Sequence, residues 1–280
     1  MTARPGKNHS RPAKRRDVRT LAYDIGGTGI KGAVLDARGE MISPRIHLAT
    51  PHPATPANVM AMLLEIAQAV PAFERVSAGF PGVVRAGRIL SAPNLGTDSW
   101  RGFRLAEALT EHLGKPVRVL NDAEVQGFGV ISGQGLECVL TLGTGVGSAL
   151  FQHGRLAPHL ELGQHPICKN KTYDDYLGRR ALKEKGRKRW NRHVQKAIGI
   201  VRTLVNFDKL YLGGGNARHL EIELPRDVEI VSNRAGITGG VRLWDAEEAV
   251  IFAQAIPADS PRDADGSREN AKRAGRKARP

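Results

Sequence analysis

The chain is poor in cysteine: 280 residues hold only Cys138 and Cys168. Two thiols without paired spacing supply neither a disulfide framework nor a tetrahedral sulfur-ligand zinc site, and they fit a reducing cytoplasm. Aromatic residues make up only 5%. With no reader motif and no series of stacking rings beside the basic residues, the sequence argues against nucleic acid as the ligand. No apolar run approaches the length needed to span a bilayer. The basic N-terminus is followed by no apolar segment, so it does not read as a secretory signal. Acidic residues are scarce, 28 against 42 Lys and Arg, for a formal net charge of +14.

That charge is uneven. Residues 1 to about 18 and about 257 to 280 are rich in Arg, Lys, Pro, Gly and Ala and have almost no large apolar side chains, so the chain reads as two basic tails, 1–18 and 247–280, the second mostly disordered. Such segments cannot offset ordering entropy by burial and are expected to be disordered basic tails. The remaining stretch divides into an N-terminal lobe, 19–121, and a C-terminal lobe, 122–246. Alternating apolar strands and helical patterns predict an α/β fold.

What the chain does have is a repeated glycine turn. Gly26-Gly27-Thr28-Gly29 separates two apolar runs, and Gly143-Thr144-Gly145-Val146-Gly147 does the same later on. Glycine leaves no Cβ in the way and tolerates positive φ, so successive backbone N–H groups can converge on an anion. Thr28 and Thr144 add hydroxyls and Lys31 adds a point charge. Asp24, ending the first strand, could hold Mg²⁺ through water, because hard cations take carboxylate oxygens. Either turn alone could be an ordinary hairpin. Their duplication points to two similar halves facing a cleft.

Asp24-Ile25-Gly26-Gly27-Thr28-x-x-Lys31 resembles the first phosphate motif of the ROK family of sugar kinases, within the actin/hexokinase-like ATPase superfamily. Leu142-Gly143-Thr144-Gly145 resembles its second phosphate motif, and Gly213-Gly214-Gly215-Asn216 its adenosine motif. The resemblance spans roughly residues 19–246. It implies a duplicated, ribonuclease H-like fold with two lobes around a cleft, a homodimer, and transfer of a phosphoryl group from ATP and/or polyphosphate to a hexose, foremost glucose, with Mg as cofactor.

The family's pattern also implies site residues. Asn121-Asp122-Ala123 would place the catalytic carboxylate, Asp122, at the cleft, with Asn121 bonding neighbouring hydroxyls; on residue type alone Asp122 serves equally as a helix N-cap. Glu161-Leu162-Gly163-Gln164 resembles the family's Glu-x-Gly-His. Gln164 stands where the family has His, which leaves the sugar open among glucose, mannose, fructose and N-acetyl amino sugars, and His165 follows it. Asn94 would reach a hydroxyl or steady the turn after Pro93. Where zinc-bearing members carry a cysteine cluster, this chain has Pro166-Ile167-Cys168-Lys169-Asn170-Lys171; the acidic sugar contact beyond falls on Asp174 or Asp175, with Asp174 the better match.

A helical stretch is expected over 173–206, following a helix over 123–132. Inside it, Arg179 to Arg192 carries eight cations against Glu184. Such a run is commonly a solvated face, or here a lane for an extended polyphosphate chain. Two rivals to a kinase are a sugar-sensing regulator of the same family and a polyanion-binding protein with a vestigial cleft. The regulators carry a helix-turn-helix module, for which the residues before Asp24 leave too little room.

Overall fold

The computed structural model describes residues 18–232 and 235–245. The two basic tails (1–17 and 246–280) and Asn233-Arg234 lie outside the described residues.

The first half opens with β1 (Thr20–Ile25) and β2 (Gly29–Leu35), antiparallel around the first glycine turn, followed by β3 (Ile46–Ala49). Helix α1 (Pro56–Ala69) begins at Thr55, whose hydroxyl accepts from Asn58 N at 3.3 Å, with Pro56 in the first turn where its missing N–H costs nothing. Next come β4 (Arg75–Phe80), the small ribbon β5 (Val84–Arg85) and β6 (Arg88–Ile89), α2 (Thr97–Trp100), α3 (Leu105–Leu113) and β7 (Val117–Asn121). The sheet order is β3-β2-β1-β4-β7.

The second half repeats the plan. After α4 (Asp122–Phe128), β8 (Leu136–Leu142) and β9 (Val146–Gln152) pair around the second glycine turn, and β10 (Arg155–Leu156) extends them. A ribbon of β11 (Pro166–Cys168) and β12 (Lys171–Thr172) leads to α5 (Tyr173–Leu177), α6 (Arg179–Lys185) and α7 (Arg187–Val205). Then follow β13 (Lys209–Gly213), β14 (Val228–Ile230), the short α8 (Ala235–Thr238) and a 3-10 segment, Gly239–Trp244. The second sheet runs β10-β9-β8-β13-β14. Each sheet thus has an antiparallel hairpin at its heart and parallel strands on one side, so the repeat of the turns is a repeat of topology.

Alternation along the strands explains the layering. In β1, Leu21, Tyr23 and Ile25 pack against α1 and α3 through Val59, Leu63, Ile66 and Leu109. In β8, Cys138, Leu140 and Leu142 pack against Trp190, Val194 and Val201 of α7. The opposite faces turn inward. Val139, Phe151 and Tyr211 meet Val125 and Phe128 of α4, while Ala22, Ala33 and Leu35 meet Ile237 of α8 and Val241. A central layer of α4, α8 and the 3-10 segment therefore lies between the sheets. The C-terminal segment returns to the first sheet: Ser77 Oγ donates to Gly240 O at 2.6 Å and accepts from Trp244 Nε1 at 2.8 Å. The Trp244 ring is flanked by the guanidinium groups of Arg75 and Arg118.

Two expected helices differ in extent. The helix expected over 123–132 ends at Phe128, where Gly129 N already bonds Gln126 O. The single helical stretch expected over 173–206 is three helices. Gly186 breaks it with φ +73, and Gly178 breaks it because its backbone presses on the second turn: a Cβ there would lie 2.7 Å from Thr144 O.

Gly127 offers a test of this packing. Alanine is worth about 1 kcal/mol over glycine inside a helix, but a Cβ at Gly127 would lie 2.6 Å from Phe151 Cζ. Overpacking costs about 1–3 kcal/mol, so Gly127→Ala is expected to lower stability in urea unfolding, whereas an exposed helical glycine would give a gain.

Candidate functional site

The strand ends and both glycine turns open onto one crevice of about 380 Å³. The turns approach closely: a Cβ on Gly27 would lie 3.4 Å from Thr144 Cγ2 and 3.2 Å from Asn94 Cβ. Gly26 N bonds Gly29 O at 3.0 Å and Gly143 N bonds Gly145 O at 2.9 Å, which fixes the shape of each turn from inside. Gly145 must lack a side chain, since a Cβ would sit 2.7 Å from Asp174 Oδ2.

The crevice gathers residues from both halves. Asp24, Gly26, Gly27, Thr28, Lys31 and Asn94 come from the first; Asn121 and Asp122 from the strand–helix junction; Gly143, Thr144, Gly145, Glu161, Gln164, Asp174, Gly214 and Gly215 from the second. Gly213 does not line it. It packs behind, where a Cβ would lie 2.8 Å from Gln126 Cδ. Gly214 takes φ +82 beside Leu142, a conformation and a close approach that both call for glycine. Asn216 Nδ2 ties this segment to Gly143 O at 2.7 Å. His165 is not among the crevice residues; Gln164 is.

The electrostatics are uneven. Asp24 and Lys31 are cross-strand partners in the β1–β2 register and form an ion pair at 2.7 Å. The lysine that adds a point charge to the first turn is thus paired with the carboxylate beside it. In the second turn Thr141 stands where Asp24 stands in the first, so the repeat gives only one turn a carboxylate.

Asp122 is the first residue of α4, and the cap is Asn121 instead. Asn121 Oδ1 accepts from Ala123 N at 2.9 Å and its Nδ2 donates to Gly82 O at 3.0 Å, while Glu124 Oε2 accepts from Asn121 N at 3.0 Å. A helix start leaves N–H groups without partners, and this capping box satisfies them. The Asn121 amide holds the helix start, and it does so from the crevice wall, where the resemblance places a contact to hydroxyls. Burial, and next the Asp24 charge, push the Asp122 carboxyl up to about 7 against the pull of the Ala123 N–H. Burial likewise lifts Asp174 to about 6, even though its carboxylate accepts from Val146 N at 2.6 Å and Gln164 Nε2 at 2.8 Å.

Among the described residues no cluster of three or more His, Cys, Asp or Glu is placed to hold a metal ion unaided. A magnesium ion that keeps waters and substrate phosphates needs only one or two carboxylates. Asp24 and Asp122 both face the crevice, and the charge of the first raises the second. That pair fits such a cation, which would relieve their repulsion.

Several crevice residues were not singled out in the sequence, Arg179 being one of eight cations in the basic run. Arg179 opens α6, and its backbone N donates to Gly143 O and Thr144 O at 3.0 and 3.2 Å. Its guanidinium reaches across to Thr28 Oγ1 at 3.3 Å, joining the two turns. Arg218 and His47 also line the space. Beside it runs a second groove of about 610 Å³ that shares Arg179, Gly215 and Arg218 and adds Lys183, Arg187, Asn216, His219 and Leu182. Of the basic run, Arg179, Lys183 and Arg187 thus border these spaces, Arg187 while paired with Glu221, and Arg180 pairs with Glu184 at 3.4 Å. No described helix is long and apolar enough to cross a membrane.

Comparison with known proteins agrees with this architecture. The ROK family model matches residues 20–161. A polyphosphate glucokinase of Mycobacterium leprae is 31% identical over 82% of this chain and 75% of its own. The crystal structure of an inorganic polyphosphate/ATP-glucomannokinase from Arthrobacter sp. strain KM superposes with a TM-score of 0.73 at 32% identity, covering 84% of this chain and 99% of that one. A ROK family glucokinase from Streptomyces griseus, solved with glucose and AMPPNP, shares the fold at 20% identity, with a TM-score of 0.68 over 80% of this chain and 98% of its own. The chain belongs to the ROK family of sugar kinases, in the branch that resembles polyphosphate glucokinases.

Proposed function

We propose that the protein is an active hexokinase that transfers the terminal phosphoryl group of polyphosphate, and also of ATP, to the 6-hydroxyl of glucose. One observation carries this: two glycine turns and the carboxylate of Asp122 face a single crevice. Support comes from the similar proteins, named a polyphosphate glucokinase and a polyphosphate/ATP-glucomannokinase.

The donor's end lies between the turns, on the N–H groups and hydroxyls of Gly27, Thr28, Thr144 and Gly145, with Arg179 as a cation common to both. Asn94, Glu161, Gln164 and Asp174 bond the sugar's hydroxyls. Asn121 and Glu124 fix the start of α4 and so the place of Asp122. The sugar oxygen attacks the terminal phosphorus, the bond from that phosphorus to its bridging oxygen breaks, and the shortened donor leaves with the bond's electrons. The proton of the attacking hydroxyl passes to the Asp122 carboxylate. Magnesium, held through water by Asp24, would offset the charge on the phosphoryl oxygens. The narrow gap between the halves limits the water that would otherwise accept the phosphoryl group.

Polyphosphate is favoured as donor by the second groove. Its border carries Arg179, Lys183, Arg187 and Arg218, and among its lining residues only Leu182 is a large apolar side chain and His219 the only ring. A phosphate chain matches such a border better than an adenine base does. A coupled assay over glucose, mannose, fructose and N-acetyl amino sugars with each donor tests the proposal. Turnover is expected with glucose and polyphosphate; a chain that binds sugar but transfers nothing would instead be a sensor.

A further inference from the structure

His159, in the loop between β10 and β11, has no part in the transfer step described above. Its side chain is only 13% exposed. Nδ1 lies 2.7 Å from Glu124 Oε1, and Nε2 faces Glu161 Oε2 at 3.5 Å. The longer approach is an ion-pair distance, and Nε2 makes no hydrogen bond. The two carboxylates have different duties. Glu124 is buried, and its other oxygen accepts from Asn121 N, closing the cap at the start of α4. Glu161 lines the crevice. A single imidazole therefore touches both the brace of the helix that carries Asp122 and an acceptor-side carboxylate.

A neutral imidazole has one N–H and would turn a lone pair toward one of the two carboxylates. An imidazolium presents an N–H to each of them and carries a charge that attracts both. Burial alone would lower the pKa of this ring, but the bond to Glu124 and the nearby Glu161 outweigh it and lift the value to about 9.

We infer that His159 is a positioning residue for the acceptor sugar: its ring, set between the two carboxylates, ties Glu161 to the Glu124 brace and so holds the sugar-side carboxylate in register with Asp122. The inference rests on the sugar-kinase function proposed above. His159→Gln keeps a donor for one carboxylate but cannot span both. Its Kd and KM for glucose are expected to rise about tenfold, a loss between that of an exposed and that of a buried ion pair, with kcat and the KM for polyphosphate within about threefold of wild type. In a Glu161→Gln background the same change is expected to add nothing to the loss of glucose affinity, because the two residues act as a unit.

Nitrogen NMR of the wild-type imidazoles is expected to show both nitrogens of this ring protonated at pH 8, a readout that needs no folded variant. Glucose binding by calorimetry separates the two claims. If wild type binds glucose without transferring phosphate, the kinase proposal fails and the binding data still judge His159. If wild type turns over but His159→Gln binds glucose within twofold of wild type, or the ring is neutral at pH 8, the inference about His159 fails alone. If wild type binds no glucose, both fail.

Discussion

Asp122→Asn is expected to lose about 10²-fold or more in turnover while it still binds glucose and melts no lower than wild type. The two halves of that expectation have one cause. Asp122 begins α4 inside the crevice, where burial and the Asp24 charge disfavour its ionised form and raise its carboxyl to about 7. A base with such a value accepts a proton readily near neutral pH, so kcat/KM should fall as pH drops below about 7. The same shift opposes folding. Because the folded value lies above the unfolded one, the native state is favoured at low pH, and that advantage is lost as pH rises through about 7. Asparagine carries no charge and avoids this cost, while its side chain can still accept from Ala123 N as Asp122 Oδ1 does at 2.9 Å. The melting advantage of the variant is therefore expected above about pH 7 and absent near pH 4, as scanning calorimetry at the two values would read. A variant with normal turnover would remove Asp122 from the base role. A variant that turns over slowly but melts lower would show that the carboxylate also supports the fold.

Removal of two groove cations, Lys183→Ala with Arg218→Ala, is expected to raise the KM for polyphosphate about tenfold or more, since two partly solvated contacts of about 0.5–1 kcal/mol each sum to roughly that factor. Both side chains are exposed and border the groove that leaves the crevice beside Gly215. The loss should shrink as salt is added, because exposed charges are screened over about 10 Å at 0.1 M. The KM for ATP should change less, its triphosphate being short enough to rest on the turns. The reverse pattern, with ATP use impaired and polyphosphate use intact, would assign the groove to the nucleotide.

Much of this site could be read in the sequence because its signals are local. A glycine turn between apolar runs announces itself, and its repetition announced the matching hairpins at β1–β2 and β8–β9. Asp122 stood out at the end of an apolar run. What escaped was set by contacts between distant segments. Arg179 sat in a basic run with nothing to distinguish it from Arg180, yet Gly178 lets its backbone rest on the second turn while Arg180 points to Glu184. His159 lies in a loop with no periodicity, and its partner Glu124 is 35 positions away. Asn121 was legible as a crevice residue but not as the cap, because cap and first helical residue differ by one position and both residue types suit either place. The return of the C-terminal segment to the first sheet depends on Ser77, Gly240 and Trp244, which share no sequence pattern.

The most direct measurement is the fate of the terminal phosphate when the purified chain meets glucose, magnesium and polyphosphate, followed by phosphorus NMR. The account predicts a sugar phosphate monoester at carbon 6 that accumulates as chain ends are consumed, and its near disappearance when Asp122 is replaced by Asn. Release of free phosphate without a sugar ester, or ester formation indifferent to Asp122, would contradict it.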